Sequence, residues 1–117
     1  MSTAALGLVR DLFFRSKIEA VASPMGAKIE FASSLDAART KLAGDHPSIV
    51  FVDLSDASFP ADSTAAAVRE LAPDAKLVGF ASHVDMKALR GAREAGFNLT
   101  LSRSEFTARL ADLIRPD

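Results

Sequence analysis

The chain of 117 residues is long enough for one domain, residues 1–117, and too short for a second hydrophobic core. Its composition, 49% hydrophobic and 25% charged, is that of a globular protein, and a net charge of -1 gives no electrostatic basis for binding nucleic acid. The sequence has no cysteine, no secretory signal and no apolar run near the roughly 20 residues that span a bilayer, so we expect a cytoplasmic protein without disulfides or membrane contact.

Apolar runs that are typical of strands alternate with segments of helical periodicity along the chain. The predicted strands are 4–9, 28–32, 49–53, 76–81 and 98–101. The segments between these strands, and the one after the last, place their apolar residues on one helical face. The third strand is continuously apolar until it ends on Asp53, a pattern that indicates burial on both faces of a sheet.

Capping residues predict where several of the helices begin and end. Ser34 is a favoured N-cap for the second helix, and Gly44 is expected to end that helix. Asp62 or Ser63 is the expected N-cap of the third helix, and Ser104 of the last.

Five strands that alternate with about five helices through short loops predict parallel βαβ units with right-handed crossovers. We therefore predict an α/β, flavodoxin-like (βα)5 domain, a doubly wound parallel sheet between two helical layers with strand order 2-1-3-4-5. In this order the first and third strands are neighbours at the topological switch point, which is where open α/β sheets hold their functional groups.

Three charged residues follow strands at that edge of the predicted sheet. Asp11 comes after the first strand and Asp53 ends the third, so we expect the two carboxylates to lie close together. Their repulsion would raise the pKa of each unless they share a hard divalent cation such as Mg²⁺. Arg103, after the fifth strand, can reach the same crevice and neutralise one carboxylate permanently.

The ordered set of these features resembles the receiver domain of bacterial response regulators, of which the chemotaxis regulator is the familiar example. Residues 50–54 are similar to the receiver segment that carries the phospho-accepting aspartate, and 83–85, 92–97 and 102–103 are similar to its second half. The resemblance covers nearly the whole chain. It implies a protein of two-component signalling that is not an enzyme, with Asp53 as the acceptor of a phosphoryl group from a histidine kinase.

The acidic pocket departs from the receiver pattern at two positions. Receivers have two acids after the first strand, and here Arg10 and Asp11 stand there, so a cation replaces one acid and weakens a metal site. Receivers have a lysine at the end of the fifth strand, and here it is Arg103. Asp11 and Asp53 remain as the carboxylates that could hold Mg²⁺, and phosphoryl transfer would need such a cation.

The residues that relay the signal in receivers also differ. Ala81 stands where a receiver has the threonine or serine of the fourth strand, with Ser82 next to it. Thr100 stands where receivers usually have an aromatic switch residue. Alanine cannot make the hydrogen bond to the phosphoryl group and threonine cannot fill the volume of a ring, so the two-state relay is expected to be broken. We therefore predict a divergent receiver, or pseudo-receiver.

Three functions follow from these observations. The first is a stand-alone, atypical receiver-like signalling domain that binds a protein partner through the face that the resemblance implies, formed by the fourth helix, fifth strand and fifth helix. The second is a working phospho-acceptor at Asp53. The third is an anti-sigma-factor-antagonist (STAS) domain with a regulatory serine near Ser63, since 53–55 and 62–64 resemble that family. STAS domains begin with two strands, however, whereas 12–22 has a helical period.

Overall fold

Five parallel strands form the centre of the structure, a computed structural model that describes residues 4–115. The strands are β1 (Ala4–Leu8), β2 (Lys28–Phe31), β3 (Ile49–Asp53), β4 (Lys76–Ala81) and β5 (Leu99–Ser102). Their order across the sheet is β2-β1-β3-β4-β5, and every neighbouring pair is parallel. The predicted order is confirmed. β3 and β4 have the predicted bounds, and β5 lies one residue later than predicted.

Helices cover both faces of this sheet. They are α1 (Leu12–Ala22), α2 (Leu35–Asp45), α3 (Ala61–Leu71), α4 (Met86–Glu94) and α5 (Arg103–Ile114). Helices α1 and α5 pack on one face, and α2, α3 and α4 pack on the other. No helix among the described residues is long and apolar enough to cross a membrane.

The core consists of two hydrophobic clusters, one on each face of the sheet. Successive side chains of a strand point to opposite faces, so Leu6, Val50 and Leu77 join the cluster under α2 and α3. Phe51 and Val78 join the cluster under α1 and α5. Because both faces are covered, every residue of β3 is buried, and this is why its sequence is apolar without interruption until its last residue.

The end of α2 differs from the prediction that Gly44 terminates it. The helix continues to Asp45, and His46 is its C-cap in the left-handed region, with φ of 46°. The backbone N–H of His46 donates to the carbonyl of Leu42 at 3.2 Å. Pro47 explains the position of the turn, because a proline disfavours the right-handed helical conformation in the residue before it.

The start of α3 also differs from the prediction. Pro60, and not Asp62 or Ser63, is the N-cap, and it supplies no side-chain hydrogen bond. Phe59 is fully buried just before it, so the anchoring of this ring in the core sets the point at which the helix can begin. Asp62 lies in the first turn, where a carboxylate interacts favourably with the partial positive charge of the helix N-terminus.

The N-cap of α5 is Ser102 and not the predicted Ser104. The hydroxyl of Ser102 accepts the backbone N–H of Glu105 at 3.1 Å, and the carboxylate of Glu105 accepts the backbone N–H of Ser102 at 3.0 Å. This reciprocal capping box satisfies two backbone donors, whereas a cap at Ser104 would satisfy one. The hydrogen bonds from Ser102 lower the pKa of Glu105.

The helix that follows β1 directly decides against the anti-sigma-factor-antagonist alternative. That family needs two strands before its first helix, and Leu12–Ala22 is helical here. The alternative with a regulatory serine near Ser63 is therefore wrong.

A glycine in β4 gives a test of how tightly the face under α2, α3 and α4 is packed. A Cβ at Gly79 would lie 2.7 Å from Leu54 Cδ1 and 2.9 Å from Phe97 Cδ2. We expect Gly79→Ala to lower the free energy of unfolding by about 1–3 kcal/mol, the usual cost of overpacking. Gly44→Ala is the control, because nothing lies within 4 Å of that site in α2. It should stabilise the protein by about 0.5–1 kcal/mol. Urea denaturation measures both, and equal values for the two variants would contradict the packing described.

Candidate functional site

Asp53 lies at the carboxyl end of β3, between the neighbouring strands β1 and β4. Only 8% of the residue is exposed, which makes it the one buried ionisable residue among residues 4–115. Its Oδ1 accepts the backbone N–H of Ser55 at 3.0 Å. A carboxylate in this position is largely removed from water, so its charge must be compensated by groups of the protein.

Arg103 supplies that compensation. Its Nη2 lies 3.6 Å from Oδ1 of Asp53, which confirms that the arginine after the fifth strand reaches the crevice. The guanidinium also lies over two aromatic rings, 5.4 Å from the centroid of Phe14 and 5.9 Å from that of Phe80. The Arg103 side chain is 44% exposed, so this ion pair has a buried acidic partner and a half-exposed basic one.

The rings under Arg103 belong to a continuous cluster of four phenylalanines. Phe80 and Phe106 are stacked with centroids 4.4 Å apart, and Phe14 lies 5.0 Å from Phe80. Phe51 meets Phe106 edge to face at 5.1 Å. These contacts join β3, β4, α1 and α5, so the guanidinium rests on a surface whose side chains are already fixed by packing.

The environment of Asp53 raises the pKa of its carboxyl group. Burial is the largest cause. The hydrogen bond from Ser55 and the charge of Arg103 lower the pKa, and the charges of Asp56 and Asp11 raise it by smaller amounts. The charge of Asp11 thus raises the pKa of Asp53, as the sequence analysis expected, but desolvation of Asp53 contributes more than this repulsion does.

Asp11 has a structural role that the sequence analysis missed. It is the N-cap of α1, and its Oδ1 accepts the backbone N–H groups of Phe13 at 2.9 Å and Phe14 at 3.3 Å. An aspartate just before a helical period is a known N-cap signal, so the sequence did contain this information. The carboxylate is thus engaged by backbone donors, although its charge still acts on Asp53.

Arg10 closes the other side of the crevice. Its Nη1 donates to Oγ of Ser58 at 3.1 Å and lies 3.7 Å from Oδ1 of Asp56, so the β1–α1 loop is tied to the β3–α3 loop. Burial alone would raise the pKa of Asp56, but hydrogen bonds from Ser58 and the charge of Arg10 outweigh it and lower the pKa. Asp56 is a site residue that the sequence analysis did not identify.

The residues at the expected relay positions make no hydrogen bond to Asp53. Ala81 is the buried last residue of β4. Ser82 is exposed, and its Oγ accepts the backbone N–H of Val84 at 3.4 Å. The hydroxyl of Thr100 accepts a hydrogen bond of 3.4 Å from Arg93 on α4.

The donor set fits a divalent cation poorly. Among the residues that the structure describes, no group of three or more His, Cys, Asp or Glu could hold a metal ion. Asp11 caps α1 and Asp53 pairs with Arg103, so both candidate carboxylates already have partners. The cationic Arg10 stands beside them in the β1–α1 loop, and Mg²⁺ prefers oxygen ligands with a negative charge.

No protein-family model matches the sequence, and no curated protein matches it either. Solved structures do match. A response regulator from Thermotoga maritima is 17% identical, with a TM-score of 0.81 over 97% of this chain and 95% of that chain. The chemotaxis response regulator CheY4 of Vibrio cholerae is 12% identical, with a TM-score of 0.81 over 97% and 96%. The receiver domain of a sensor histidine kinase from Pseudomonas aeruginosa PAO1, which has a magnesium ion coordinated in its active-site cleft, is 14% identical, with a TM-score of 0.82 over 97% and 95%.

At these identities the comparisons establish the fold. The chain has the flavodoxin-like fold of response-regulator receiver domains, as the sequence predicted, and its crevice lies at the same end of the sheet where this class of fold binds its ligands.

The raised pKa of Asp53 predicts a pH-dependent cost to stability. Burial lifts it above the usual 3.8, so the native state holds this proton to a higher pH than the unfolded state does. The proton on Asp53 therefore stabilises the folded state at low pH, and this contribution is lost as the pH rises through the folded-state pKa of Asp53. We expect Asp53→Asn to be more stable than the wild type at neutral pH and the difference to shrink towards about pH 4. Urea denaturation as a function of pH measures it, with the exposed Asp74→Asn as the control. A constant difference at every pH would contradict the prediction.

Removing Arg103 should leave the buried carboxylate without its partner. We expect Arg103→Ala to lower the free energy of unfolding by about 1–2 kcal/mol, less than the roughly 3–5 kcal/mol for a fully buried pair because this guanidinium is half exposed. Arg90→Ala on α4 is the control and should change stability by less than about 0.5 kcal/mol. Arg69 would be a poor control, since it donates to the carbonyl of Gly96. Equal stabilities of the Arg103 and Arg90 variants would show that the ion pair does not stabilise the fold.

Proposed function

We propose that this chain is a receiver-like signalling domain that acts by binding a protein partner. The observation that carries the proposal is the ion pair of Arg103 and Asp53 at the carboxyl end of a receiver-type sheet. In this pair a permanent cation stands beside the acid that would otherwise accept a phosphoryl group. Part of the negative charge of the crevice is thus offset by the protein itself, without an added group or ion.

The residues around the pair support a domain that does not switch in the usual way. Ala81 offers no hydroxyl at the end of β4, and Ser82 beside it is turned into the next loop. Thr100 bonds to α4 through Arg93 and has no ring that could change position. A two-state relay needs an element with two arrangements that the site can bias, and these side chains do not supply one.

The partner surface that we propose is the face of α4, β5 and α5. Helix α4 carries exposed basic side chains at Lys87, Arg90 and Arg93. Charge complementarity favours a partner with an acidic surface and accelerates its association. A histidine kinase is a second partner class, which the resemblance to receiver domains implies.

A second function, phosphorylation at Asp53, is favoured by the position of this carboxylate. It ends β3 at the switch point of the sheet, and 8% of the residue still reaches solvent. A carboxylate oxygen of Asp53 would attack the phosphorus of a phosphodonor, forming an O–P bond while the bond between phosphorus and the leaving group breaks. Mg²⁺ with Asp11 and Asp53 as ligands would agree with the magnesium in the neighbouring receiver structure. Because Arg10 opposes it, we expect weak Mg²⁺ binding.

Intact-mass measurement after incubation with acetyl phosphate and Mg²⁺ tests these proposals. The partner-binding proposal expects little or no gain of a phosphoryl group in the wild type, because Arg103 occupies the carboxylate and the metal ligands are incomplete. Arg10→Asp restores the second acid and should raise the fraction phosphorylated at least about tenfold. Asp53→Asn is the control for the site. Rapid, complete phosphorylation of the wild type that disappears in Asp53→Asn would establish the second function instead.

Backbone NMR spectra of the wild type and Asp53→Asn give the second readout. The proposal expects shift changes at the ends of β3 and β5 and at the start of α5, and unchanged resonances on the exposed side of α4. Large changes on α4, at Arg90 and Arg93, would show that a relay to the partner surface exists and would overturn the proposal.

A further inference from the structure

A groove runs between α1 and α5 and opens at the crevice that holds Asp53. Its volume is about 920 Å³. Phe13, Phe14 and Lys17 of α1 form one wall, and Ser104, Thr107 and Ala108 of α5 form the other. Arg103 and the loop residues Ser82 and His83 also line it. A volume of this size falls in the range of about 300–1,000 Å³ that is usual for small-molecule sites.

The groove offers cationic groups and almost no free negative charge. Lys17 makes no ion pair within residues 4–115, and Arg103 has one half-exposed guanidinium with a single carboxylate partner. The carboxylate that lines the groove, Asp11, already accepts two backbone N–H groups of α1. A ligand that enters the groove therefore meets two positive charges, and an anion gains most from this.

The remaining walls suit a flat apolar group. The ring of Phe13 is 84% exposed at the rim, an unusual position for a large hydrophobic side chain. Phe14 lies deeper, and its ring also contacts the guanidinium of Arg103. On α5 the small side chain of Ala108 leaves space between the helices. The hydroxyl of Thr107, which also lines the groove, already donates to the backbone carbonyl of Arg103 at 3.0 Å.

We propose that this groove binds a small organic anion, with an aromatic or other flat apolar body against Phe13 and Phe14 and its carboxylate, sulfonate or phosphate group between Lys17 and Arg103. The groove shares α5 with the proposed partner surface but is lined by no residue of α4, and it does not depend on phosphorylation of Asp53. It would give the domain an input that needs neither a kinase nor a metal ion.

The anion and Asp53 compete for one guanidinium. Arg103 lines the groove and is at the same time 3.6 Å from Oδ1 of Asp53. A ligand that draws Arg103 into the groove weakens this ion pair, and by thermodynamic linkage the ion pair weakens binding of the ligand by the same factor. Occupation of the groove is thereby coupled to the charge state of the crevice.

Fluorescence titration with anilinonaphthalene sulfonate, an aromatic anion, tests the proposal on the folded protein. We expect saturable binding to the wild type that weakens at least about tenfold in Lys17→Glu and is lost in Ala108→Phe, which fills the groove. Lys87→Glu, an exposed lysine outside the groove, should bind as the wild type does. Thermal melts of each variant establish that it is folded, and amide shift mapping locates the probe.

The same titration with Asp53→Asn is the most direct test of the competition, because this substitution frees Arg103 and should tighten probe binding several-fold. The uncharged analogue N-phenyl-1-naphthylamine should bind at least about tenfold more weakly than the sulfonate. Three further apolar side chains, those of Leu12, Val84 and Met86, are exposed on the surface. The proposal would be overturned by equal binding of the two probes, by unchanged affinity in Lys17→Glu, or by amide shifts confined to these three residues, since each result would indicate a peripheral apolar surface of the kind that protein partners contact. None of these outcomes bears on the acetyl phosphate experiment.

Discussion

The contact between Arg103 and the buried carboxylate of Asp53 is the interaction around which the functional site of this domain is organised. A parallel sheet covered on both faces buries the end of β3, and with it an acid that burial alone would penalise. The guanidinium reaches this acid because α5 begins directly after β5, where Ser102 and Glu105 form the capping box. The guanidinium lies over the rings of Phe14 and Phe80, which belong to a packed cluster of four phenylalanines. The start of a helix, the edge of a sheet and an aromatic cluster thus meet at one ion pair.

Two arginines contact the carboxylates of the crevice, where a site for phosphoryl transfer would have further acids and a metal ion. Arg103 neutralises the buried carboxylate, and Arg10 ties the β3–α3 loop through Asp56 and Ser58. Both arginines are permanent cations, so the chain itself offsets part of the acidic charge of the crevice. This arrangement supports the proposal of a domain that has the receiver fold and binds a protein partner.

The sequence predicted the sheet well because parallel strands buried on both faces leave continuous apolar runs, and the order of the strands was confirmed. The ends of the helices were harder to predict. Both Ser102 and Ser104 are suitable N-caps for α5, and the reciprocal hydrogen bonds between Ser102 and Glu105 decide between them. Of the site, the arginine opposite the acid was predicted from strand ends alone. The partner of Arg10 was not, because Ser58 lies 48 residues away and such contacts leave no local pattern.

The capping box has a consequence for how this domain could change state. Since Arg103 is the first residue of α5, its backbone is held by the hydrogen bonds of the helix and only its side chain is free to swing. Rotamer changes of exposed side chains occur in picoseconds to nanoseconds, far faster than the movement of a helix or a loop. Two working states of this domain would then share a superimposable backbone trace and differ in the direction of a single guanidinium.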